Sequence, residues 1–372
     1  MSFQLLCQDT QTRARRGVLD TAHGPVQTPV FMPVGTQATV KAMAPRELEE
    51  LGAEIILGNT YHLNIRPGME ILRGAGGLHA FMAWPHAILT DSGGYQVFSL
   101  SKLRRVKAEG VHFQSHVDGA SLFLGPREAM EIQRHLGSDV AMVLDECTPY
   151  PATHDEARRS LDLTLRWARA CREQERAPGQ LVFGIVQGGL YRDLRERAVG
   201  ALTALDFDGY ALGGLSVGEA AADMIAMVEA CAPMLPAERP HYLMGVGTPP
   251  QIVAAVAAGI DMFDCVLPTR VGRNGSAYTA RGTLPVKAGR CKADFRPIEE
   301  GCTCYACRHF TRAYIRHLLN VNEILGSRLK TTHNLHFYLT LMADVRRHLE
   351  AGTFAAFRDQ FLATWHEAAA ES

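Results

Sequence analysis

The chain has 372 residues, 47% of them hydrophobic and 21% charged, which excludes a disordered polymer and leaves room for one large domain or two or three small ones. Lysine and arginine number 38 against 39 aspartate and glutamate, so a uniformly basic coat is excluded while a local basic patch is not. No apolar run approaches the roughly 20 residues that cross a bilayer, and Met1-Ser2-Phe3-Gln4 lacks an export pattern, so the expectation is a cytoplasmic chain whose cysteines are reduced and, where clustered, bind metal.

Residues 1–40 alternate extended runs with breakers, as antiparallel strands and turns do. A rhythm then sets in. Val30-Phe31-Met32-Pro33-Val34, Ile55-Ile56-Leu57, Ala87-Ile88-Leu89, Val140-Ala141-Met142-Val143-Leu144, residues 181–186, Tyr210-Ala211-Leu212, His241-Tyr242-Leu243-Met244 and Met262-Phe263 are short, apolar throughout and mostly followed by Gly, Asp, Asn or Gln. That is the signature of parallel strands buried on both faces. Helical patterns fall between them at 46–51, 155–175, 190–205, 220–235 and 249–258, with Asp155 near the start of the second. Eight strands alternating with helices predict a (β/α)8 barrel. A doubly wound sheet is the alternative, but no Gly-x-Gly-x-x-Gly follows the early strands.

Two segments interrupt the rhythm. Residues 102–124 suggest a small antiparallel insertion, and 269–332 an inserted subdomain, followed by a last helix at 334–349. The chain then divides into a barrel with its N-terminal strands (1–268), the insertion (269–332), and a final helix with its tail (333–372).

In barrels of this kind, reactive groups sit where strands end. Those positions hold Asn59, Thr60, Asp91, Asp145, Glu146, Gln187 and Asp264. Each aspartate alone could be a helix cap. Asp91 precedes Ser-Gly-Gly rather than a helical pattern, and Asp264 has apolar neighbours that make a merely local role costly. The pairs Gly93-Gly94, Gly188-Gly189 and Gly213-Gly214 would let backbone approach a flat ligand, and Tyr95 could stack on it. Cys302-Thr303-Cys304-Tyr305-Ala306-Cys307 sets three thiols within six residues. Zinc needs a fourth ligand, and spacing leaves His309, His317, His333 and His336 open. From 269 to 296 there are seven cations (Arg270, Arg273, Arg281, Lys287, Arg290, Lys292, Arg296) against Asp294 alone. Lys102, Arg104, Arg105 and Lys107 form a weaker group. A basic surface beside an acidic pocket suits a polyanion whose reacting part enters the pocket.

Taken together, Thr90-Asp91-Ser92-Gly93-Gly94-Tyr95-Gln96-Val97, Asp145-Glu146-Cys147-Thr148-Pro149, Gly184-Ile185-Val186-Gln187-Gly188-Gly189, Gly213-Gly214-Leu215, residues 242–247, residues 261–270 and the Cys-x-Cys-x-x-Cys motif resemble the bacterial tRNA-guanine transglycosylases. The resemblance runs in order along nearly the whole chain. It implies a TIM barrel with an inserted zinc subdomain after the eighth strand, usually a homodimer. The implied reaction exchanges the wobble guanine of tRNAs with GUN anticodons for 7-aminomethyl-7-deazaguanine, on the way to queuosine. By position, it implies Asp264 as nucleophile and Asp91 as proton-transfer residue. Asp145, Gln187, Gly214 and Leu215 would read the base, with Tyr95 and Met244 against its faces and Cys147 and Val217 beside its 7-substituent. Gly245, Val246, Gly247, Thr248, Pro249, Pro250 and Gln251, and Thr269, Arg270, Val271, Gly272 and Arg273, fall where members touch RNA. Cys302, Cys304, Cys307 and His333 match the zinc ligands. A non-catalytic tRNA-binding subunit should lack one of the two key carboxylates, whereas both are present. An archaeosine-type enzyme should carry further C-terminal RNA-binding domains. A metal-dependent barrel hydrolase should have its ligands at strand ends, and here the thiols lie in the insertion.

Overall fold

A computed structural model describes residues 2–100 and 104–365. The chain opens with the antiparallel sheet β1 (Phe3–Gln8), β2 (Arg15–Thr21) and β3 (Gly24–Thr28). Next come β4 (Val30–Gly35), β5 (Ile55–Gly58) and β6 (Ala87–Thr90), then the small antiparallel sheet β7 (Arg104–Lys107), β8 (Gly110–Gln114) and β9 (Ser121–Leu124). The strands β10 (Val140–Met142), β11 (Leu181–Val186), β12 (Gly209–Leu212), β13 (His241–Leu243) and β14 (Met262–Cys265) follow. β4 to β6 and β10 to β14 pair in parallel, and β14 returns to β4 to close an eight-stranded barrel. These are the eight apolar runs read from the sequence. Seven of them are buried at every residue, as the walls of a filled barrel wrapped in helices must be. The antiparallel insertion is present as β7 to β9, although Lys102 lies outside the described residues.

The helices keep their places but not all their bounds. The one read from residue 155 runs over His154–Arg172, with Asp155 in its first turn, and is capped by Thr153. Thr153 Oγ1 accepts the Glu156 N–H at 3.3 Å, while Glu156 takes the Thr153 N–H at 2.8 Å. A helix also starts at Gly94, two residues beyond Ser92, where the sequence had suggested none. The last long helix begins at Ile324, ten residues before the expected start at 334, and runs to Glu350. The insertion contributes the hairpin β15 (Ser276–Thr279) and β16 (Gly282–Pro285) and a small core of its own around Val286, Ile298, Ile315 and Leu319. Among the described residues, no helix is long and apolar enough to cross a membrane.

The end of the barrel where the strands begin is closed by a buried ion pair. Arg15 of β2 meets Asp261, just before β14, with Nε 3.2 Å from Oδ1 and a second contact to Oδ2. The guanidinium also donates to the carbonyls of Ala237 (2.8 Å) and Arg239 (2.9 Å), and Asp261 accepts the His241 N–H at 2.7 Å. Asp261→Asn would leave Arg15 buried without its counter-charge. We expect a loss of about 3–5 kcal/mol, read as a lowered denaturation midpoint; an unchanged midpoint would show that the pair does not hold the sheet to the barrel.

Candidate active site and metal centre

The parallel strands bring their C-terminal ends to one face, and the expected polar residues arrive there together. Asp91 follows β6 directly, and its side chain is buried. One oxygen accepts the N–H of Thr60 at 2.9 Å, and the other accepts the amides of Asn59 and of Gln96, the latter at 2.7 Å. Its link to Thr60 does cap a helix, Thr60–Leu63, but one from a different part of the chain. Burial pushes the Asp91 carboxyl up to about 6; these donors hold it down in part, and the charge of Asp264 adds to the rise. Asp91 follows β6 and Asp264 lies in the last half of β14, so the parallel strands bring both carboxyls to the same end of the barrel.

Asp264 lies within β14. Its Oδ1 accepts the Tyr242 hydroxyl at 2.5 Å and the Gly245 N–H at 2.7 Å. Burial raises its pKa, and these two donors oppose the rise. Burial also keeps Tyr242 protonated, and so a donor. Oδ2 is left free of the pair that grips Oδ1.

Asp145 is likewise buried and pushed up to about 6, chiefly by desolvation. Its Oδ2 accepts Gln187 Nε2 at 2.7 Å. Neither Asp145 nor Asp264 caps a helix. Gln187 Oε1 is buried without a partner and faces Gly214, where an added Cβ would lie 2.2 Å from it at a φ of +65°. No side chain fits there, so the Gly214 backbone comes right up to the amide. Cys147 is buried, and its thiol is pushed up to about 12 by desolvation, which keeps it neutral and inert. Leu215 is buried, Met244 is half-buried at the end of β13, and Tyr95 is 51% exposed on the helix Gly94–Leu100.

The expected RNA-contacting stretches are only partly reachable. In 245–251, Val246, Gly247 and Pro249 are buried, leaving Gly245, Thr248, Pro250 and Gln251 accessible. In the helix Leu267–Asn274, Thr269 and Gly272 turn inward, Gly272 against Thr331, while Arg270 is exposed and Val271 and Arg273 are half-buried. Sequence reasoning noted Asn59 without giving it a task. It missed Tyr242, which sits in an apolar run, and Gln96, which follows Asp91 by five residues.

Cys302, Cys304 and Cys307 of the insertion and His333 of the last long helix bring one donor atom each within 4.8 Å of one another and could hold a metal ion. His333 Nδ1 lies 3.7, 3.6 and 3.3 Å from the three sulfurs in turn. Tetrahedral bonds of about 2.3 Å to sulfur and 2.0–2.1 Å to nitrogen place such atoms about 3.5 Å apart, so the set fits. His333 Nε2 lies 2.6 Å from the Tyr278 carbonyl, which accepts its proton and turns Nδ1 toward the sulfurs.

A second grouping, His23, His79 and Asp139, sits at the opposite end of the barrel. Its rings stack 3.6 Å apart at 15°. An ion bound by both would have to lie in both ring planes, which nearly parallel stacked rings forbid. Asp139 instead ties the β2–β3 turn to the barrel by accepting the backbone N–H groups of His23 (3.0 Å) and Ile88 (2.8 Å).

An acid-lined mouth at the C-terminal face of a closed parallel barrel, with a thiol-rich insertion beside it, defines a (β/α)8-barrel enzyme. The model of the family described as queuine tRNA-ribosyltransferase matches residues 9–367. Relatives named queuine tRNA-ribosyltransferase include those of Pelotomaculum thermopropionicum, 55% identical over 97% of this chain and 98% of the relative, and Thiobacillus denitrificans, 55% identical over 98% and 99%. Another, from Symbiobacterium thermophilum, is 52% identical over 99% of this chain and 92% of its own. The chain belongs to the queuine tRNA-ribosyltransferase family and is a pentosyltransferase.

Cys304→Ser should abolish metal retention, measured by elemental analysis after dialysis, while the barrel's circular dichroism stays near wild type. Full retention would place the ion elsewhere.

Proposed function

We propose that the protein exchanges guanine at the wobble position of tRNAs with GUN anticodons for 7-aminomethyl-7-deazaguanine, in queuosine synthesis, by double displacement through a ribosyl–aspartate. The observation that carries this reading is the pair of buried carboxyls at one mouth of the barrel, Asp91 directly after β6 and Asp264 within β14, each held by fixed donors. A β-linked nucleotide before and after exchange requires two inversions at the sugar, hence a covalent intermediate.

Asp264 is the nucleophile. Tyr242 and Gly245 fix Oδ1 and stabilise the carboxylate, leaving Oδ2 to attack ribose C1′. The C1′–N9 bond breaks as the ester bond forms. Asp91, with a pKa of about 6, gives its proton to the departing guanine and takes one from the incoming base, which attacks C1′ and releases Asp264. Asn59, Thr60 and Gln96 hold Asp91 in place through both steps.

Asp145 accepts from the ring N–H and exocyclic amino group that both bases share. Gln187 gives one amide hydrogen to Asp145, and its second, with the Gly214 N–H, goes to the ring carbonyl. Leu215 adds a main-chain contact, Tyr95 and Met244 cover the faces, and Cys147 and Val217 limit the room at the 7-substituent, which disfavours queuine. Arg270 and Arg273, with the accessible part of 245–251, face the RNA backbone.

Zinc is the ion of the insertion. Cys302, Cys304, Cys307 and His333 would hold it with three thiolates and one imidazole, a full donor set for zinc, and it would serve there to hold the fold rather than to take part in the exchange. The protein acts in the cytoplasm as a homodimer. Support for the dimer is the exposed apolar surface of Tyr305, Val321, Ile324 and Leu325 beside a 620 Å³ cavity against the helix Pro45–Glu50.

Wild-type protein incubated with unmodified tRNA and then denatured should show a slower-migrating adduct. Asp264→Asn should show none and should exchange no labelled guanine; an adduct with that variant would assign the nucleophile elsewhere.

Asp145 must be ionised to accept from the base. Its folded pKa is raised from 3.8 to about 6, so guanine affinity should be full above pH 7 and fall nearly tenfold per unit below about 6. Calorimetry at pH 6 in buffers of different ionisation enthalpy should show proton release on binding; a flat profile would remove Asp145 from base recognition.

A further inference from the structure

Arg195 stands in the first turn of the helix Arg192–Thr203, behind the base-reading residues, and is fully buried. A buried guanidinium is normally matched by a carboxylate. Among the described residues no carboxylate forms an ion pair with this one, and the positive end of its own helix disfavours it further. Its contacts are backbone carbonyls: Nε donates to Gly189 at 2.9 Å and Nη1 to Val186 at 3.0 Å, while Nη2 has no partner. Those carbonyls flank Gln187. The Val186 carbonyl also accepts the Gly213 N–H at 3.0 Å, so one oxygen links Arg195 to the turn that carries Gly214. The fit is close. At Gly188, with φ of +140°, an added Cβ would meet the Arg195 backbone nitrogen at 3.0 Å and its Cγ at 3.2 Å.

We propose that Arg195 is a positioning residue for base exchange: its guanidinium pins the turns at 188–189 and 213–214 from behind and so sets the spacing between the Gln187 amide and the Gly214 N–H. The inference rests on the reading of those two groups as donors to the base carbonyl. Two donors to one oxygen must be placed to within a few tenths of an ångström, and each stands on a glycine-rich turn with little side-chain packing of its own. A planar fork with donors on two edges can brace two carbonyls at once; a lysine ammonium keeps the charge but not the fork.

The test is steady-state exchange of labelled guanine into tRNA, varying guanine and tRNA separately, with melting followed in parallel. Arg195→Met should raise the KM for guanine about fivefold to tenfold, the effect of one lost hydrogen bond of ordinary strength, and the KM for tRNA by clearly less, because tRNA keeps its RNA contacts outside the base pocket. Arg195→Lys should recover part of the loss. A residue that only fills the core would lower the melting temperature and move both KM values together or neither, and that result overturns the proposal. Should Arg195→Met fail to fold, the same split measured on Arg195→Lys decides. Wild-type protein that exchanges no guanine overturns the reading of the site as well. An active wild type whose variants keep its guanine KM overturns the role of Arg195 alone.

Discussion

The seam between β4 and β14 joins the first parallel strand to the last, with Asp264 directly opposite Met32 in the register. Residues more than two hundred positions apart in the chain become neighbours there, and the mouth of the barrel exists only once that seam has formed. Asp264 depends on the seam twice over. The seam fixes the strand that carries it, and the adjoining β13 supplies Tyr242 and leads into Gly245, the two donors that hold one of its oxygens. The Arg15–Asp261 pair fastens the same strand at its other end.

Closing the barrel also removes three carboxylates from water. For Asp91 and Asp145 the rise from 3.8 to about 6 corresponds to about 3 kcal/mol each. The sign matters. With folded pKa values above the unfolded ones, these groups favour the fold below pH 4 and lose that contribution as pH rises through 6. At neutral pH the burial of these charges therefore costs stability, which the donors from Asn59, Thr60, Gln96 and Gln187 offset in part. Destabilisation of this kind concentrates where chemistry is done.

The barrel was legible because its strands are buried on both faces and so stand out as unbroken apolar runs. The thiol motif was legible because three cysteines in six residues stand out as a cluster of potential metal donors. The fourth ligand was not legible from spacing. What distinguishes His333 from His336 is the fold: the Tyr278 carbonyl orients the His333 ring so that Nδ1 reaches all three sulfurs, whereas His336 approaches Cys302 at 3.7 Å and turns its Nε2 to the exposed Thr303 hydroxyl. The early start of the last long helix was missed because its mixed sequence buries residues on several sides and lacks a single stripe. Tyr242 and Arg195 left no mark in the sequence. A tyrosine in an apolar strand looks like core, and an arginine in a helix looks like surface, until the chain is folded.

That long helix carries more than a ligand. Successive residues grip Tyr278 of β15, with His333 on its carbonyl and Asn334 on its N–H. Further along, the Tyr338 hydroxyl donates to the Gly247 carbonyl at 3.1 Å, two residues beyond a partner of Asp264. The insertion is thus not a detachable cassette. Transplanting 269–332 into another barrel would leave His333, one of the four candidate donors, behind on the donor scaffold, and splicing it out of this one would unseat the rod that steadies the loop beside Asp264.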